Sequence, residues 1–289
     1  MKARKVQAPV RVDFGGGTTD IYPFTHTHGG AVLNCGINRY VVGKIVKTDK
    51  DVHLEYTGHT PTSSGLGTSG VMNLVWLALI SQIRLKRKGA VSLKNRMELA
   101  RGVYALEQSM GLVGGKQDQY AAAFGGINYI EFKGDKVKLE QLKLSQSFIK
   151  KFESKLVLVY TGKPHFSGNT NKSMMDNLKK GKNTKNLIRI KNIASEMKNA
   201  LKKEDLYKFA KLMNEETVER KKLHKGIVGP RLQIFIDKGM KNGAIAAKVC
   251  GSGGGGSVLF FTDERAKLLK AFGKNVLNFK FDFGGLKWI

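Results

Sequence analysis

Thr68 and Ser69 stand at the end of a run of small residues, Pro61 to Gly70 (PTSSGLGTSG), and directly before the apolar run Val71 to Ile83. That order predicts a loop feeding a buried helix over Thr68 to Ile83, with Val71, Leu74, Val75, Leu77 and Ala78 inside. The first N–H groups of a helix have no partner within it, and the helix dipole makes that end positive, so a small-residue loop placed there can cradle phosphate. A flexible turn into a core helix is the plainer reading of the same residues. The chemistry is not that of a Walker A loop, since no Gly-Lys pair is followed by Ser or Thr. A second glycine run, Gly251 to Gly256 (GSGGGG), satisfies G-x-G-x-x-G in form. However, it leads into Ser257-Val258-Leu259-Phe260-Phe261, a strand-like segment, whereas a dinucleotide fingerprint opens a helix.

Other candidate residues lie far from this loop in sequence. Asp118 falls in GGKQDQY at the head of a short predicted helix, where it would at least complement the dipole. Glu107 shares the i, i+3, i+4, i+7 stripe of the helix Leu93 to Met110 with Ala100, Val103 and Tyr104, and a carboxylate on that apolar stripe needs a partner. Arg11 ends a strand before Gly15-Gly16-Gly17, and Asp20 closes the segment GGGTTD as a turn cap or a hydroxyl-binding carboxylate. His26 and His28 lie two apart with no Cys or carboxylate cluster around them. Cys35 and Cys250 are isolated from each other, which gives neither a disulfide framework nor a zinc site.

The elements that must position these groups read as strands, then helices, then mixed. Strands are predicted over Lys5 to Phe14 and Ala31 to Lys47, helices over Thr68 to Ile83, Leu93 to Met110 and Gln117 to Phe124, and a strand over Ile127 to Phe132. Leu156 to Tyr160 (LVLVY) is a short apolar strand where a second half begins, giving expected domains 1–155 and 156–289. Helices follow over Thr184 to Lys202 and Leu206 to Leu223, and the second glycine loop joins two strands. A cleft between the halves is the expected site.

The ordered segments APVRVDFGGGTTD (Ala8 to Asp20), PTSSGLGTSG and KVCGSGGGGSVLFF (Lys248 to Phe261) resemble the three motifs of the GHMP kinases. GGKQDQYAAAFGG (Gly114 to Gly126) and YTGKPHFSG (Tyr160 to Gly168) are more similar to the heptose-phosphate and fucose kinase branch than to the isoprenoid branch. The resemblance covers nearly the whole chain. It implies an α+β two-domain GHMP kinase fold, with a ribosomal-protein-like N-terminal domain and a ferredoxin-like C-terminal domain, and ATP with Mg²⁺ as cofactors. It also implies phosphoryl transfer to a sugar or sugar-phosphate hydroxyl, closest to the anomeric 1-hydroxyl of a heptose 7-phosphate. Thr18 departs from that branch, which usually has another Gly at this place.

Residue by residue, the resemblance implies ATP contacts from Pro61, Ser63, Ser64, Gly65, Leu66, Gly67, Thr68 and Ser69, with Gly253 and Gly254 closing over the triphosphate. It implies magnesium ligation by Thr68, Ser69 and Glu107, the last otherwise a structural ion pair. Asp118 becomes the general base or an orienting group for the acceptor hydroxyl, and Arg11 a fixed cation beside it. Gly16, Gly17, Thr19, Asp20 and Lys116 would hold the substrate, with Lys116 and Lys163 as basic anchors should it already carry a phosphate.

The bulk properties fit such an enzyme. With 289 residues, 41% of them hydrophobic, the chain can bury a sizeable core. The longest apolar run is too short to span a membrane, and the basic start lacks a signal-peptide core, so a cytoplasmic location is expected. The net charge of +27 collects in Lys179 to Lys203 and Lys208 to Lys225. A nucleic-acid binder on a degenerate kinase scaffold would carry such charge too. Yet the lysines follow helical patterns without interleaved aromatics or a nucleic-acid motif, so they read as a solvated face. The expected partner is a small sugar or sugar phosphate, with no specific nucleic acid and no membrane.

Overall fold

The computed structural model describes residues 3–47, 51–81, 89–163 and 167–289. Its first half runs β1 (Ala3–Gly15), α1 (Phe24–Thr27), β2 (Gly30–Lys47), β3 (Val52–Gly58), α2 (Thr68–Ile80), β4 (Gly89–Ala90), α3 (Leu93–Ser109), α4 (Gln117–Phe124), β5 (Ile127–Lys133), β6 (Lys136–Gln141) and α5 (Gln146–Ser154). The second half runs β7 (Leu156–Tyr160), α6 (Ser167–Lys179), α7 (Thr184–Lys202), α8 (Leu206–Leu223), α9 (Pro230–Lys241), β8 (Ala244–Val249), β9 (Ser257–Thr262), α10 (Arg265–Phe272) and β10 (Lys287–Trp288).

Seven strands form one sheet in the order β4-β10-β1-β2-β5-β6, with β3 also paired to β2. All its pairings are antiparallel, and β1 and β2 are hydrogen-bonded along almost their whole length, from Ala3 opposite Val46 to Gly15 opposite Leu33. Long central strands give the sheet a stable spine on which helices can pack. The helix α4 lies buried against it; apart from Asp118 every residue from Gln117 to Phe124 is buried, as expected for a helix enclosed by other elements. It stops at Gly125, whose φ of +63° suits a glycine past a helix end. The helix α3 begins at Ser92, whose hydroxyl accepts from Asn95 N–H at 3.3 Å.

The second sheet is antiparallel and three-stranded, in the order β7-β9-β8. Its faces divide with a period of two. Leu156, Leu158, Leu259 and Phe261 enter the main core, while Val157, Val159, Val258 and Phe260 pack with Leu232, Ile236, Leu268 and Phe272 of α9 and α10. The main core also takes Ile193, Met197, Phe209 and Met213 from α7 and α8 together with Val10, Val12 and Phe14 of β1, so both halves share one apolar interior. The helix α7 buries a stripe of Leu187, Ile190, Ile193, Ala194, Met197 and Leu201; Lys185 and Lys202 are exposed, whereas Lys198 at the stripe's edge lies over the Tyr129 ring at 4.0 Å.

The predicted helices over Gln117 to Phe124, Thr184 to Lys202 and Leu206 to Leu223 appear with those bounds. The helix predicted to reach Ile83 ends at Ile80, and Gln82 and Ile83 lie outside the described residues, as do residues 164–166 of the YTGKPHFSG segment. The C-terminal tail was not anticipated as part of the first sheet: β10 pairs with both β1 and β4. Arg96 holds it there. Its buried guanidinium donates to the carbonyls of Val91 (2.8 Å), Phe124 (3.1 Å), Gly284 (2.8 Å) and Leu286 (3.2 Å). Replacing it leaves four carbonyls short of a charged donor. Arg96→Met is expected to lower the unfolding free energy by about 2–4 kcal/mol in urea titration; a loss below about 0.5 kcal/mol would mean that water substitutes for the guanidinium.

Candidate active site

The site begins with Arg11, near the middle of β1. Its backbone N–H donates to Leu66 O at 3.0 Å and its Nη1 to Gly65 O at 2.7 Å, so the first glycine loop is fastened to the strand twice through one residue. Its Nε reaches Asp118 Oδ1 at 2.8 Å and its Nη2 the same oxygen at 2.7 Å. The guanidinium is buried, whereas the Asp118 side chain is 27% exposed and opens on a cleft. Burial alone would lower the Arg11 pKa; attraction to Asp118 and Asp13 outweighs it and raises the value, which keeps the cation charged.

Two helices meet at Asp118. It sits in the first turn of α4, and the start of α2 abuts it: a Cβ on Gly67 would lie 2.9 Å from Asp118 Cγ, and one on Gly70 3.0 Å from Asp118 Cβ. Gly67 is the N-cap of α2 with φ +76°, a left-handed conformation. The glycine therefore serves both the turn and the close approach. The N-terminal ends of the two helix dipoles make this corner of the cleft electropositive, suited to phosphate and to a carboxylate alike.

The cleft encloses about 380 Å³. Its walls include Ser63, Ser64, Gly65, Gly67, Thr68 and Ser69 on one side and Gly17, Thr18, Asp20, Gln117 and Asp118 on another. Glu107 and Gln119 also line it, and Arg220, Gly251 and Ser252 close it from the second half. Thr18 has φ +80°, which glycine adopts without strain and threonine does not. That is the position at which the resembling branch usually has glycine.

Two carboxylates of the cleft are perturbed. Asp20 is buried and accepts from Gln117 N–H at 2.9 Å. Desolvation, with a smaller push from Asp118, carries its pKa up to about 6 against the opposing hydrogen bond. Glu107 is also raised by burial. It accepts from Asn73 Nδ2 at 2.9 Å and from Gln119 Nε2, and among the described residues it has no cationic partner. The structural ion pair is thus not its state. A buried carboxylate with amide partners only, lining the same cleft as Thr68 and Ser69, is a donor of the kind a hard divalent cation takes. Among the described residues no three His, Cys, Asp or Glu cluster, so an all-protein cage is absent; magnesium bound with phosphates and water needs none.

Several anticipated residues are placed elsewhere. Lys116 does not line the cleft: its Nζ donates to Gly134 O at 2.8 Å, lies over the Tyr104 ring at 4.7 Å and pairs with Asp135 at 3.7 Å. It precedes α4 by one residue, and positions two apart on a helical path point to different sides, so it cannot follow Asp118. Gly16 backs onto Ala31, and the hydroxyl of Thr19 bonds Gly16 O (2.7 Å) and Ala31 O (3.0 Å), which makes both supports of the turn. Leu66 is a fully buried core residue and Pro61 stands off the cleft wall. Gly253 packs on Ile227, and Gly254 faces a separate hollow of about 150 Å³ with Lys163 and Arg231. The second glycine loop instead reaches the cleft through Gly251 and Ser252.

Sequence reasoning missed Arg220 and the buried charges behind it, Asp13, Glu216 and Lys248. The signal was present: Phe209, Met213, Glu216, Arg220 and Leu223 follow a 4-3-4-3 spacing, one helical stripe, and all five are buried.

Family models match this chain in two places: the GHMP kinases N terminal domain over residues 36–126 and the GHMP kinases C terminal over residues 197–277, together more than half of its length. The chain belongs to the GHMP kinase family. It is 27% identical to a D-glycero-alpha-D-manno-heptose 7-phosphate kinase of Campylobacter jejuni, with 99% of each chain aligned. It is 29% identical to a bifunctional fucokinase/GDP-fucose pyrophosphorylase of Arabidopsis thaliana over 55% of this chain and 20% of that protein. Among solved structures it resembles a D-glycero-D-manno-heptose 1-phosphate kinase from Bacteriodes thetaiotaomicron, with a TM-score of 0.78, 25% identity, and coverage of 100% of this chain and 99% of the other. A Lactococcus lactis galactokinase complexed with galactose, at 18% identity and a TM-score of 0.72 over 99% and 95% of the chains, shares the fold.

Gly67→Ala tests the close packing at Asp118. It is expected to cost about 1–2 kcal/mol in urea unfolding, from the left-handed φ and the carboxylate it must displace. Gly58→Ala, where a Cβ meets nothing within 4 Å, should stay within about 0.5 kcal/mol of the parent. Equal effects at the two positions would contradict the packing.

Proposed function

We propose that this chain is an ATP-dependent sugar kinase that transfers the γ-phosphoryl group to a hydroxyl of a sugar or sugar phosphate, with the anomeric 1-hydroxyl of a heptose 7-phosphate as the leading acceptor. The observation that carries the reading is the convergence of Asp118, Arg11, the 63–69 loop and the start of α2 on one cleft. The choice of acceptor rests on the Campylobacter jejuni heptose 7-phosphate kinase, alignable end to end with this chain.

Phosphoryl transfer asks a protein mainly to position two oxygens in line and to neutralise charge. The triphosphate lies along Ser63 to Ser69, where the backbone and hydroxyls of the loop and the N–H groups opening α2 receive its oxygens. Glu107 and the hydroxyls of Thr68 and Ser69 would hold a magnesium ion, which would supply positive charge to the triphosphate. Asp20 and Gln117 hold the acceptor, Asp20 accepting hydrogen bonds from its hydroxyls. Asp118 orients the reacting hydroxyl and takes its proton as the new P–O bond forms and the bond from the γ-phosphorus to the ADP oxygen breaks. Arg11 fixes the Asp118 carboxylate and offsets the charge on the phosphoryl group in flight.

Asp118→Asn is expected to lower kcat by at least about a hundredfold while calorimetry still records ATP binding. Loss of ATP binding with catalysis, or an unaltered kcat, would remove Asp118 from its role. The ionised form of Asp20 is the better acceptor for sugar hydroxyls. The kcat/KM for the sugar should therefore fall as pH drops through about 6, while the KM for ATP follows no such step. In Asp20→Asn that inflection disappears; its persistence would assign the ionisation elsewhere. ADP release over a panel of heptose phosphates, fucose, galactose and mevalonate identifies the acceptor, and turnover of mevalonate alone would overturn the sugar assignment.

A further inference from the structure

The buried charges behind the cleft form a group of four that the transfer chemistry above does not use. Lys248 Nζ lies 2.8 Å from Asp13 Oδ2 and 3.5 Å from Glu216 Oε2, and Asp13 Oδ1 also accepts from Gly251 N–H at 3.2 Å. Arg220 is less well matched. Its Nη1 stands 4.0 Å from Asp13 and 3.9 Å from Glu216, beyond hydrogen-bond reach. Its one hydrogen bond among the described residues runs from Nη2 to Gly251 O at 2.7 Å, and its Nε is buried without a partner. A guanidinium has five donors, and burying them unpaired is costly.

Arg220 lines the cleft on the acceptor side. A Cβ on Gly17 would lie 2.8 Å from Arg220 Nη1 and 3.6 Å from Gln117 Nε2, so both side chains flank that glycine. The amide oxygen of Gln117 is also buried and unpartnered, and the Gln117 backbone N–H is held by Asp20. The hydrogen bond and ion pairs of Arg220 run to Asp13, Glu216 and Gly251, none to the 63–70 loop. Among the described residues only two cationic side chains line the cleft, and Arg11 is held by Asp118. Lys116 is anchored at Gly134, and Lys163 faces the separate hollow.

We propose that Arg220 binds an anionic group already present on the acceptor, a phosphate ester or a carboxylate, and so sets the preference of this chain for charged over neutral sugars. The proposal rests on the kinase reading. The planar fork of Arg220 suits either anion, and the open donors gain partners only when the anion is present. Burial raises the pKa of Glu216 against the pull of Lys248 and Arg220.

The test compares three matched acceptors, a sugar, its phosphate ester and its sugar acid, in an ADP-release assay on the parent enzyme, Arg220→Lys and Arg220→Met. The parent should favour a charged acceptor over the neutral sugar by about a hundredfold in kcat/KM. Arg220→Met should collapse that preference through the acceptor KM, with the KM for ATP within about twofold and Arg220→Lys in between. The sugar acid and phosphate arms identify the anion. Should Arg220→Met fail to fold, inhibition of the parent enzyme by inorganic phosphate and by acetate gives the answer: competition of either against the acceptor supports the proposal, and its absence for both overturns it. A parent enzyme that prefers the neutral sugar, or an Arg220→Met defect confined to the KM for ATP, overturns it as well while the kinase reading stands. That reading falls separately if no acceptor elicits ADP.

Discussion

The structure of the site depends on one buried guanidinium. Arg11 holds the Asp118 carboxylate with Nε and Nη2, the glycine loop through Gly65 O with Nη1, and the same loop again through its backbone N–H. Three segments that are about fifty residues apart in sequence are thereby fixed to within hydrogen-bond length of one side chain. A point charge on a flexible stem would not do this, because the donors of a lysine cannot be shared between a carboxylate and a carbonyl in a fixed planar fork. The pair is only partly buried on the carboxylate side, which leaves Asp118 accessible from the cleft while its orientation is set from behind.

Around that point, the sequence satisfies a second constraint: the carboxylate must lie against the start of a helix without a side chain in between. Gly67 and Gly70 meet it, and the shared core beneath them keeps α2 and α4 from separating. Arg96 and the returning strand β10 hold the far end of α4 in the same way. The second half of the molecule contributes to the cleft chiefly through Arg220, Gly251 and Ser252, and it is joined to the first by the contact of Lys248 with Asp13. The two halves therefore meet through charge as well as through apolar packing, and the charges lie close to where an acceptor would sit.

Much of this was legible in the sequence. Helices with a strong apolar period and glycine or polar boundaries, such as α4, α7 and α8, appear where periodicity places them, and the glycine loop does precede a buried helix. The strand β10 was not legible, because two residues at the end of a chain carry no period and pair only through tertiary context. The contact of Arg11 with Asp118 spans 107 positions and follows from the family resemblance, not from local pattern. Lys116, expected as a basic anchor for the substrate, is held instead by the carbonyl of Gly134, a contact 18 positions away that no local pattern signals. Arg220 escaped because it stands in the run VERKK, where the surrounding lysines are solvated and the one buried cation differs only in its helical phase.

A structure of the chain with a non-hydrolysable ATP analogue and a sugar phosphate would test the central claim most directly. The account predicts the triphosphate along Ser63 to Ser69 at the start of α2, with the reacting hydroxyl in contact with Asp118. A nucleotide lodged instead in the hollow beside Lys163 and Arg231, or an acceptor that does not touch Asp118, would contradict it.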